Sequence, residues 1–206
     1  NLTPHWIHAG CGGTTIKQYK PLQNFWKCNI HKSNNNTQQN NSPNTQNKVN
    51  KLKILQININ GMGTSFNELT RLTDTLKPDI ITVQETKLKP NNKNPKLSNY
   101  STQRMDRKGK EGGGLVTFVK NSITFSQPHT QTYTHVEILP TRIHLKNSKY
   151  IDIINIYCPN NATQSISSEQ TIELATVIQH YSNLDDTIIT ADINGHSSLW
   201  FSPIED

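Results

Sequence analysis

The sequence predicts an α/β domain with mixed β-sheets across residues 51–206. Short runs rich in apolar and β-branched residues recur throughout this part of the chain, as expected of strands. Two of the intervals between these runs carry apolar residues at helical spacing. Helices interspersed among many strands are typical of an α/β domain.

The first elements of this domain follow from apolar patterning and from a helix-start signal. Leu52–Ile59 alternates apolar and polar residues, which predicts a strand. Ser65 and Glu68 form a capping-box pair that predicts the start of a helix, and Pro78 should end that helix. Asp79–Gln84 is predicted as a buried strand. The apolar side of the predicted helix consists of Phe66, Leu69, Leu72 and Leu76.

The later elements are predicted in the same way. Ser167, with Gln170 three residues after it, predicts the start of a second helix, and Thr187–Ala191 is predicted as the last buried strand. A turn is predicted at residues 112–114, where three glycines follow one another. The other predicted strands are Tyr100–Met105, Leu115–Val119, Ile123–Ser126, Tyr133–Leu139, Arg142–Leu145 and Tyr150–Tyr157.

Composition divides the chain into three parts. Hydrophobic residues make up 32% of the sequence, and even with the 10 glycines the apolar share stays below the roughly 45–50% of globular proteins. Residues 33–50 are mostly Asn and Gln and are predicted to form a disordered linker, because such a segment buries too little apolar surface. The linker separates a small N-terminal piece, residues 1–32, from the main domain.

Several classes of protein are excluded. No apolar run approaches the roughly 18–20 residues that span a bilayer, so the sequence excludes a transmembrane protein and predicts no membrane partner. The 3 cysteines exclude a disulfide scaffold and favour a reducing, intracellular compartment. Because the sequence begins at Asn1 and not at methionine, we expect it to be a fragment of a longer protein.

The net charge of +6 is unevenly distributed. Residues 1–50 contain lysines and no acidic residue, and bases far outnumber acids between Lys87 and Lys120. From Tyr150 onwards the chain contains acids but no Lys or Arg. A basic segment facing an acidic one suits a site that holds a polyanion beside a metal ion. Solvated loops that differ in composition are an equally good interpretation.

Polar side chains follow four of the predicted strands at the points where the strands end. The carboxyl ends of strands are where α/β sheets usually assemble their sites. Two carboxylates and several amides there would form an oxygen-rich site suited to a hard cation such as Mg²⁺, not to zinc. These side chains are Asn58, Asn60, Glu85, Tyr157, Asp192 and Asn194.

Five motifs follow one another along the chain: LQININGM, IITVQETKL, GGGLVTFVK, IINIYCPNN and IITADINGHSSLW. Together they resemble the endonuclease/exonuclease/phosphatase superfamily and, within it, the apurinic-type endonuclease domain of non-LTR (LINE-type) retrotransposons. The resemblance covers residues 51–206. It implies a four-layer sandwich of two mixed β-sheets flanked by helices, here incomplete at the C-terminus and preceded by a small zinc-finger-like remnant.

The resemblance also implies a role for each matching residue. Glu85 would be the principal Mg²⁺ ligand, with Asn58 beside it, and Mn²⁺ could replace Mg²⁺. Asp192 would orient or deprotonate the attacking water. Asn194 would donate a hydrogen bond to the scissile phosphate, and Tyr157 would contact that phosphate or the developing charge. For each of these residues the alternative is a structural role, such as an Asx turn at Asp192.

The sequence departs from the family pattern in three places. Asn60 stands where the repair enzymes often have an acid, and Ala191 stands where glycine is usual. The sequence ends at Asp206, before the Asp–His pair that follows in the family, and His196 is interpreted as structural and not as the missing histidine. We therefore expect the 206-residue chain to be inactive or nearly so.

Basic residues of the middle segment are candidates for contacts with the DNA backbone, which carry no sequence information. A solvated loop is an equal alternative for each of them. The candidates are Lys87, Lys89, Lys93, Lys96, Arg104, Arg107, Lys108 and Lys110.

The N-terminal piece carries ligand-like spacing. His8 and Cys11, then Cys28 and His31, with a tryptophan two residues before His8 and another two before Cys28, resemble the second half of a PHD finger. A single Zn²⁺ held by these four residues, a truncated finger that is unfolded by itself, and chance spacing are the three interpretations. A finger would make chromatin a candidate partner of the longer protein.

Three functions from different classes follow. The favoured hypothesis is a Mg²⁺-dependent endonuclease that nicks double-stranded DNA in the nucleus and starts target-primed reverse transcription in the parent retrotransposon protein. The second is a phosphoesterase of the same superfamily that acts on a lipid or inositol phosphate. The third is a non-catalytic relic with an interaction finger.

Overall fold

The computed structural model describes residues 52–159, 166–184 and 186–194. The N-terminal piece with its four candidate zinc ligands, the Asn/Gln-rich linker and His196 lie outside the described residues. The helices are α1 (Met62–Leu76) and α2 (Ser168–Ser182). The strands are β1 (Ile54–Asn58), β2 (Ile80–Gln84), β3 (Tyr100–Met105), β4 (Leu115–Lys120), β5 (Phe125–Ser126), β6 (Glu137–His144), β7 (Tyr150–Tyr157) and β8 (Thr187–Asp192).

The strands form two mixed sheets, as the sequence predicts. The first has the order β1-β2-β4-β3, with β1 and β2 parallel and the other pairs antiparallel. The second has the order β5-β6-β7-β8, in which β7 and β8 are the parallel pair. Each parallel pair is joined through one of the two helices, which is the usual βαβ connection.

The sheets pack face to face between the two helices. On the outer face of the first sheet, Leu69 of α1 packs in one apolar cluster with Ile81 and Phe118. On the outer face of the second, Val177 of α2 packs with Ile154. A third cluster lies between the sheets and joins residues of β2 and β4 to residues of β6 and β7. These contacts confirm the four-layer arrangement.

Helix α1 starts earlier than its sequence predicts. It begins at Met62, with Gly61 as N-cap and no side-chain cap, so the prediction of a capping box at Ser65 and Glu68 is wrong. The N–H groups of Gly61 and Met62 donate to the carbonyls of Glu85 and Thr86, each at 2.8 Å. The segment after β2 therefore sets the start of this helix through a tertiary contact that no local signal shows.

Helix α2 confirms its predicted start, because Ser167 and Gln170 form both bonds of a capping box. Strand β6, by contrast, is continuous through Pro140, whereas the sequence predicts two strands separated there. Strand β5 pairs only with Arg142 and Ile143, so Pro140 lies beyond the end of β5, on an open edge. A proline on such an edge breaks no ladder hydrogen bond.

A buried amide joins the two sheets near one end of the sandwich. The side chain of Asn155 on β7 donates to the carbonyls of Val83 at 3.3 Å and Val116 at 3.1 Å. Its Oδ1 accepts a hydrogen bond of 2.7 Å from Gln84 Nε2, and both side chains are fully buried. We call this pair the amide bridge; it ties β7 to β2 and β4. Among the described helices, none is long and apolar enough to cross a membrane.

Replacing Asn155 by leucine should lower the free energy of unfolding by about 3 kcal/mol, because it leaves several buried polar groups without partners. The measurement is urea denaturation followed by circular dichroism. Asn67→Leu on the exposed side of α1 makes the same chemical change at a position without such bonds and is the control. Equal midpoints for the two variants would contradict a stabilising role of the amide bridge.

Candidate active site

The carboxyl ends of β1, β2, β7 and β8 lie together at the end of the sandwich that contains the amide bridge. Strand pairing places Asn58 beside Gln84, which precedes Glu85. It also places Tyr157 beside Asp192. Gln56 Nε2 donates to the Ala191 carbonyl at 2.6 Å and so joins β1 to β8 across the two sheets. The topology therefore brings these strand-end side chains to one place.

Glu85 and Tyr157 form the first half of the site. The Tyr157 hydroxyl donates a hydrogen bond of 2.6 Å to Glu85 Oε1, and the tyrosine is 5% exposed. Burial raises the pKa of the Tyr157 hydroxyl well above its ordinary value, and the hydrogen bond to Glu85 and the charge of that carboxylate raise this pKa further. Tyr157 is therefore a neutral hydrogen-bond donor across the physiological pH range.

Asn58 and Asp192 form the second half. Asn58 Nδ2 donates to Asp192 Oδ2 at 2.5 Å, and Asp192 is 4% exposed. The backbone N–H of Asn194 approaches Asp192 Oδ1 at 3.4 Å, while the Asn194 amide donates to the Cys158 carbonyl at 2.9 Å. Asn60 N–H donates to Asn58 Oδ1 at 3.0 Å and fixes the orientation of that amide.

The segment after β2 places the Glu85 carboxylate by an unusual backbone path. Glu85 and Lys87 both have positive φ angles, 52° and 54°. The N–H groups of Thr86 and Lys87 donate to the carbonyls of Gly114 and Gly113, at 3.1 and 2.7 Å. The glycine turn predicted from sequence therefore acts as a backbone partner that holds the left-handed segment next to the site.

A basic side chain lies beside the Glu85 carboxylate. Lys87 Nζ is 3.8 Å from Glu85 Oε2 and donates a hydrogen bond to Asn60 Oδ1. In this structure one oxygen of Glu85 therefore faces a hydroxyl and the other faces an ammonium group. Lys87 was predicted from sequence as a DNA contact, and it lies at the edge of the site with a side chain that is 45% exposed.

The other candidate DNA contacts fall into two groups. Lys89, Lys93, Lys96, Lys108 and Lys110 are exposed. Arg104 is 10% exposed and is held by Asp106 at 2.6 Å and by the Lys89 carbonyl at 2.5 Å. Arg107 is 16% exposed and pairs with Glu137, a residue that the sequence analysis did not single out. The two guanidinium groups are thus engaged within the protein, and the exposed lysines form the accessible basic surface.

The oxygen-rich donor set fits a hard divalent cation. Mg²⁺ in proteins is commonly bound by one or two carboxylates, with water completing its coordination. Among the described residues, Glu85 Oε1 accepts the Tyr157 hydroxyl and Oε2 lies near Lys87 Nζ, while the Asn58 amide oxygen accepts the backbone N–H of Asn60. Within residues 52–159, 166–184 and 186–194 there is no group of three His, Cys, Asp or Glu side chains that could hold a metal. Glu85 and Asn58 remain the predicted ligands.

The structure thus assembles the five residues predicted as catalytic: Asn58, Glu85, Tyr157, Asp192 and Asn194. Two mixed sheets, two outer helices and a carboxylate-and-amide site at the strand ends define a nuclease or phosphoesterase fold. The Endonuclease/Exonuclease/phosphatase family matches residues 55–200, and the chain belongs to this family. This confirms the resemblance at the level of the superfamily.

Known proteins similar to this chain include nucleases. A DNA-(apurinic or apyrimidinic site) endonuclease of Dictyostelium discoideum is 29% identical over 123 residues, which are 57% of this chain and 33% of the relative. The chain thus spans about a third of that protein's length.

Solved structures share the fold. The endonuclease domain of TRAS1, a telomere-specific non-LTR retrotransposon, has a TM-score of 0.55 at 16% identity. The match covers 74% of this chain and 64% of the TRAS1 chain. The Xenopus laevis APE2 catalytic domain has a TM-score of 0.50 at 21% identity, with coverage of 71% and 60%. A humanized D. rerio TDP2 has a TM-score of 0.51 at 16% identity, with coverage of 71% and 68%.

Cys158, directly after Tyr157, should resist alkylation in the folded protein. The thiol is fully buried, and burial raises its pKa to about 12, so the reactive thiolate is scarce at pH 8. We expect iodoacetamide to modify Cys158 at least about a hundredfold more slowly in buffer than in 6 M urea. Mass spectrometry of the peptide containing Cys158 measures both rates. Similar rates would contradict the burial of the strand end that carries Tyr157.

Proposed function

We propose that this domain is a Mg²⁺-dependent endonuclease that nicks double-stranded DNA. The proposal rests on two hydrogen bonds at the strand ends. Tyr157 donates one to the Glu85 carboxylate, and Asn58 donates the other to the Asp192 carboxylate. Hydrolysis of a phosphodiester needs positive charge near the phosphate, a group that takes the proton of water and fixed hydrogen-bond donors. The site contains candidates for each need.

Each residue has a proposed task. Glu85 and Asn58 would hold Mg²⁺, or Mn²⁺ in its place, and the bound ion would neutralise charge on the phosphate. Asp192 would orient water and accept its proton, and the Asn58 amide keeps that carboxylate in place. Asn194 would donate to the phosphate after its amide leaves the Cys158 carbonyl. Tyr157 would offer its hydroxyl to the phosphate from the position it now holds on Glu85.

The substrate and the biological setting are further parts of the proposal. Lys87 lies at the edge of the site, and the exposed Lys108 and Lys110 lie in the β3–β4 connection at the same end of the sandwich, which suits the DNA backbone. The similarity to TRAS1 and to an apurinic endonuclease supports a DNA substrate over a lipid or inositol phosphate. As part of a retrotransposon protein, the domain would nick the target for reverse transcription in the nucleus. The N-terminal piece would add Zn²⁺ and a chromatin contact.

Supercoiled plasmid tests the activity, because a single nick converts it to the open circle. The 206-residue chain is used in excess over plasmid, and phosphoinositide vesicles and inositol polyphosphate are assayed in parallel. We expect slow nicking with Mg²⁺, none with EDTA, and roughly a 100-fold loss in Glu85→Gln. Glu111→Gln, a change at a 92% exposed glutamate, should nick like the wild type.

The other outcomes are equally informative. Preferred hydrolysis of either phosphoinositide substrate would favour the second hypothesis over a nuclease. Binding of plasmid without hydrolysis of any substrate, together with equal Mg²⁺ affinity of the wild type and Glu85→Gln, would favour the non-catalytic relic. Equal nicking by the wild type and Glu85→Gln would show that the activity does not come from this site.

DNA binding should depend on the lysines at the site end. Replacing Lys108 and Lys110 by alanine should weaken binding and flatten the slope of log affinity against log salt by roughly 2, because two phosphate contacts are lost. Fluorescence anisotropy with a labelled duplex between 50 and 200 mM salt measures this. Lys146→Ala with Lys149→Ala removes the same charge from the turn between β6 and β7, at the opposite end of the sandwich. Equal slopes for the two double variants would remove Lys108 and Lys110 from the DNA surface.

A further inference from the structure

Arg107 lies against the ring of Tyr157. Its guanidinium carbon is 5.4 Å from the ring centroid, a distance at which a cation is attracted to an aromatic face. Arg107 Nε donates to Glu137 Oε1, and Glu137 Oε2 accepts a hydrogen bond of 2.7 Å from the N–H of Gly114. The guanidinium is therefore held between the tyrosine ring and a carboxylate that is itself anchored to the backbone.

Gly113 leaves the space that Arg107 occupies. A Cβ at this position would lie 2.4 Å from three atoms of the guanidinium group, which is shorter than any tolerated contact. Gly113 also has a φ of +59°, a conformation that side-chain-bearing residues rarely adopt. The glycine turn thus has a second task besides pairing with the segment after β2: it makes room for a cation beside Tyr157.

The position of Arg107 carries an energetic cost. Its Nη2 is buried and has no hydrogen-bond partner among the described residues. A buried donor without a partner lowers stability, and the cost is larger when the donor is charged. The cost is consistent with a role for the contact between Arg107 and Tyr157.

We infer that Arg107 is a positioning residue that fixes the ring of Tyr157, and with it the Tyr157 hydroxyl on Glu85. Glu137 and Gly113 hold Arg107 in place, so these residues form a second layer behind the site. The inference rests on the proposed function, because it assigns a role in the same site. It removes Arg107 from the set of DNA contacts, consistent with a side chain that is 16% exposed.

The chain contains a matched arrangement elsewhere. Arg142 pairs with Asp152 through two hydrogen bonds of 2.8 and 2.7 Å, and its guanidinium carbon lies 3.8 Å from the ring centroid of Tyr150. Tyr150 is the first residue of β7, whereas Tyr157 is the last, so this arrangement lies at the other end of the strand. The Arg142 cluster therefore provides a control for the loss of an arginine–carboxylate–tyrosine contact.

Carbon-13 NMR of the chain labelled at the tyrosine Cζ tests the inference without turnover. Tyr157→Phe and Tyr150→Phe assign the two signals, and Glu85→Ala defines the shift that follows loss of the bond to Glu85. We expect Arg107→Lys and Gly113→Ala to move the Tyr157 signal in the same direction as Glu85→Ala, and to leave Tyr150 in place. Arg142→Lys should move only Tyr150. Gly109→Ala, at a φ of +75° with no atom near its Cβ, controls for backbone strain.

The outcomes separate this inference from the proposed function. A Tyr157 signal that responds to Glu85→Ala but not to Arg107→Lys overturns the inference and leaves the site intact. A signal that ignores Glu85→Ala overturns the Tyr157–Glu85 bond and with it both proposals. If Gly113→Ala does not fold, Arg107→Lys decides between these outcomes.

Kinetics provide a second measurement if the plasmid is nicked. A positioning role predicts that Arg107→Lys slows single-turnover nicking roughly tenfold while plasmid affinity and its salt dependence stay unchanged. Weaker plasmid binding with a flatter salt slope, an unchanged rate at saturation and a stationary Tyr157 signal would overturn the inference in favour of a backbone contact. Lys108→Ala, at an exposed lysine, shows what a backbone contact looks like in the same assay.

Discussion

The amide bridge between the two sheets controls the geometry of the site. Gln84 immediately precedes Glu85, and Asn155 lies two residues before Tyr157 on the same face of β7. The bond of 2.7 Å between Gln84 and Asn155 therefore sets how far apart the following Glu85 and Tyr157 side chains lie. Because both amides are fully buried, water does not compete for this bond. The fixed spacing lets a hydroxyl on one sheet meet a carboxylate on the other.

The interior between the sheets changes character along its length. At the end away from the site, apolar residues such as Ile80, Val119 and Ile153 pack together. Towards the site, buried polar side chains lie beside an apolar cluster of Leu115, Leu139 and Tyr157. Thr82 Oγ1, Thr117 Oγ1 and Gln84 Oε1 are buried there without hydrogen-bond partners among the described residues. Buried polar groups of this kind lower stability. The interior is thus entirely apolar at one end, whereas buried polar and apolar side chains are mixed at the end that places the functional groups.

Sequence patterning predicts the elements well where the signal is local. The α2 capping box and strands β3 and β7 occur where predicted, because capping and apolar alternation act over a few residues. The predicted N-cap of α1, Ser65, lies four residues after the observed N-cap, Gly61, since N–H groups at the start of the helix bond to the segment after β2 and not to a neighbouring side chain. Composition also does not distinguish Arg107 from Lys108. The two bases are adjacent in the sequence, but Arg107 packs against Tyr157 whereas Lys108 is exposed.

By itself the sequence determined the class of fold, the polar residues that end the strands and the superfamily resemblance, because these depend on short-range order along the chain. Only the tertiary structure decided which of those residues touch. Tyr157 and Glu85 are 72 residues apart in the sequence, and so are Asn155 and Val83, which are also joined by a hydrogen bond. Contacts at such separations arise from the packing of one sheet on the other, which no local pattern encodes. The same packing brings Glu137 next to Arg107 and places Arg107 against the ring of Tyr157.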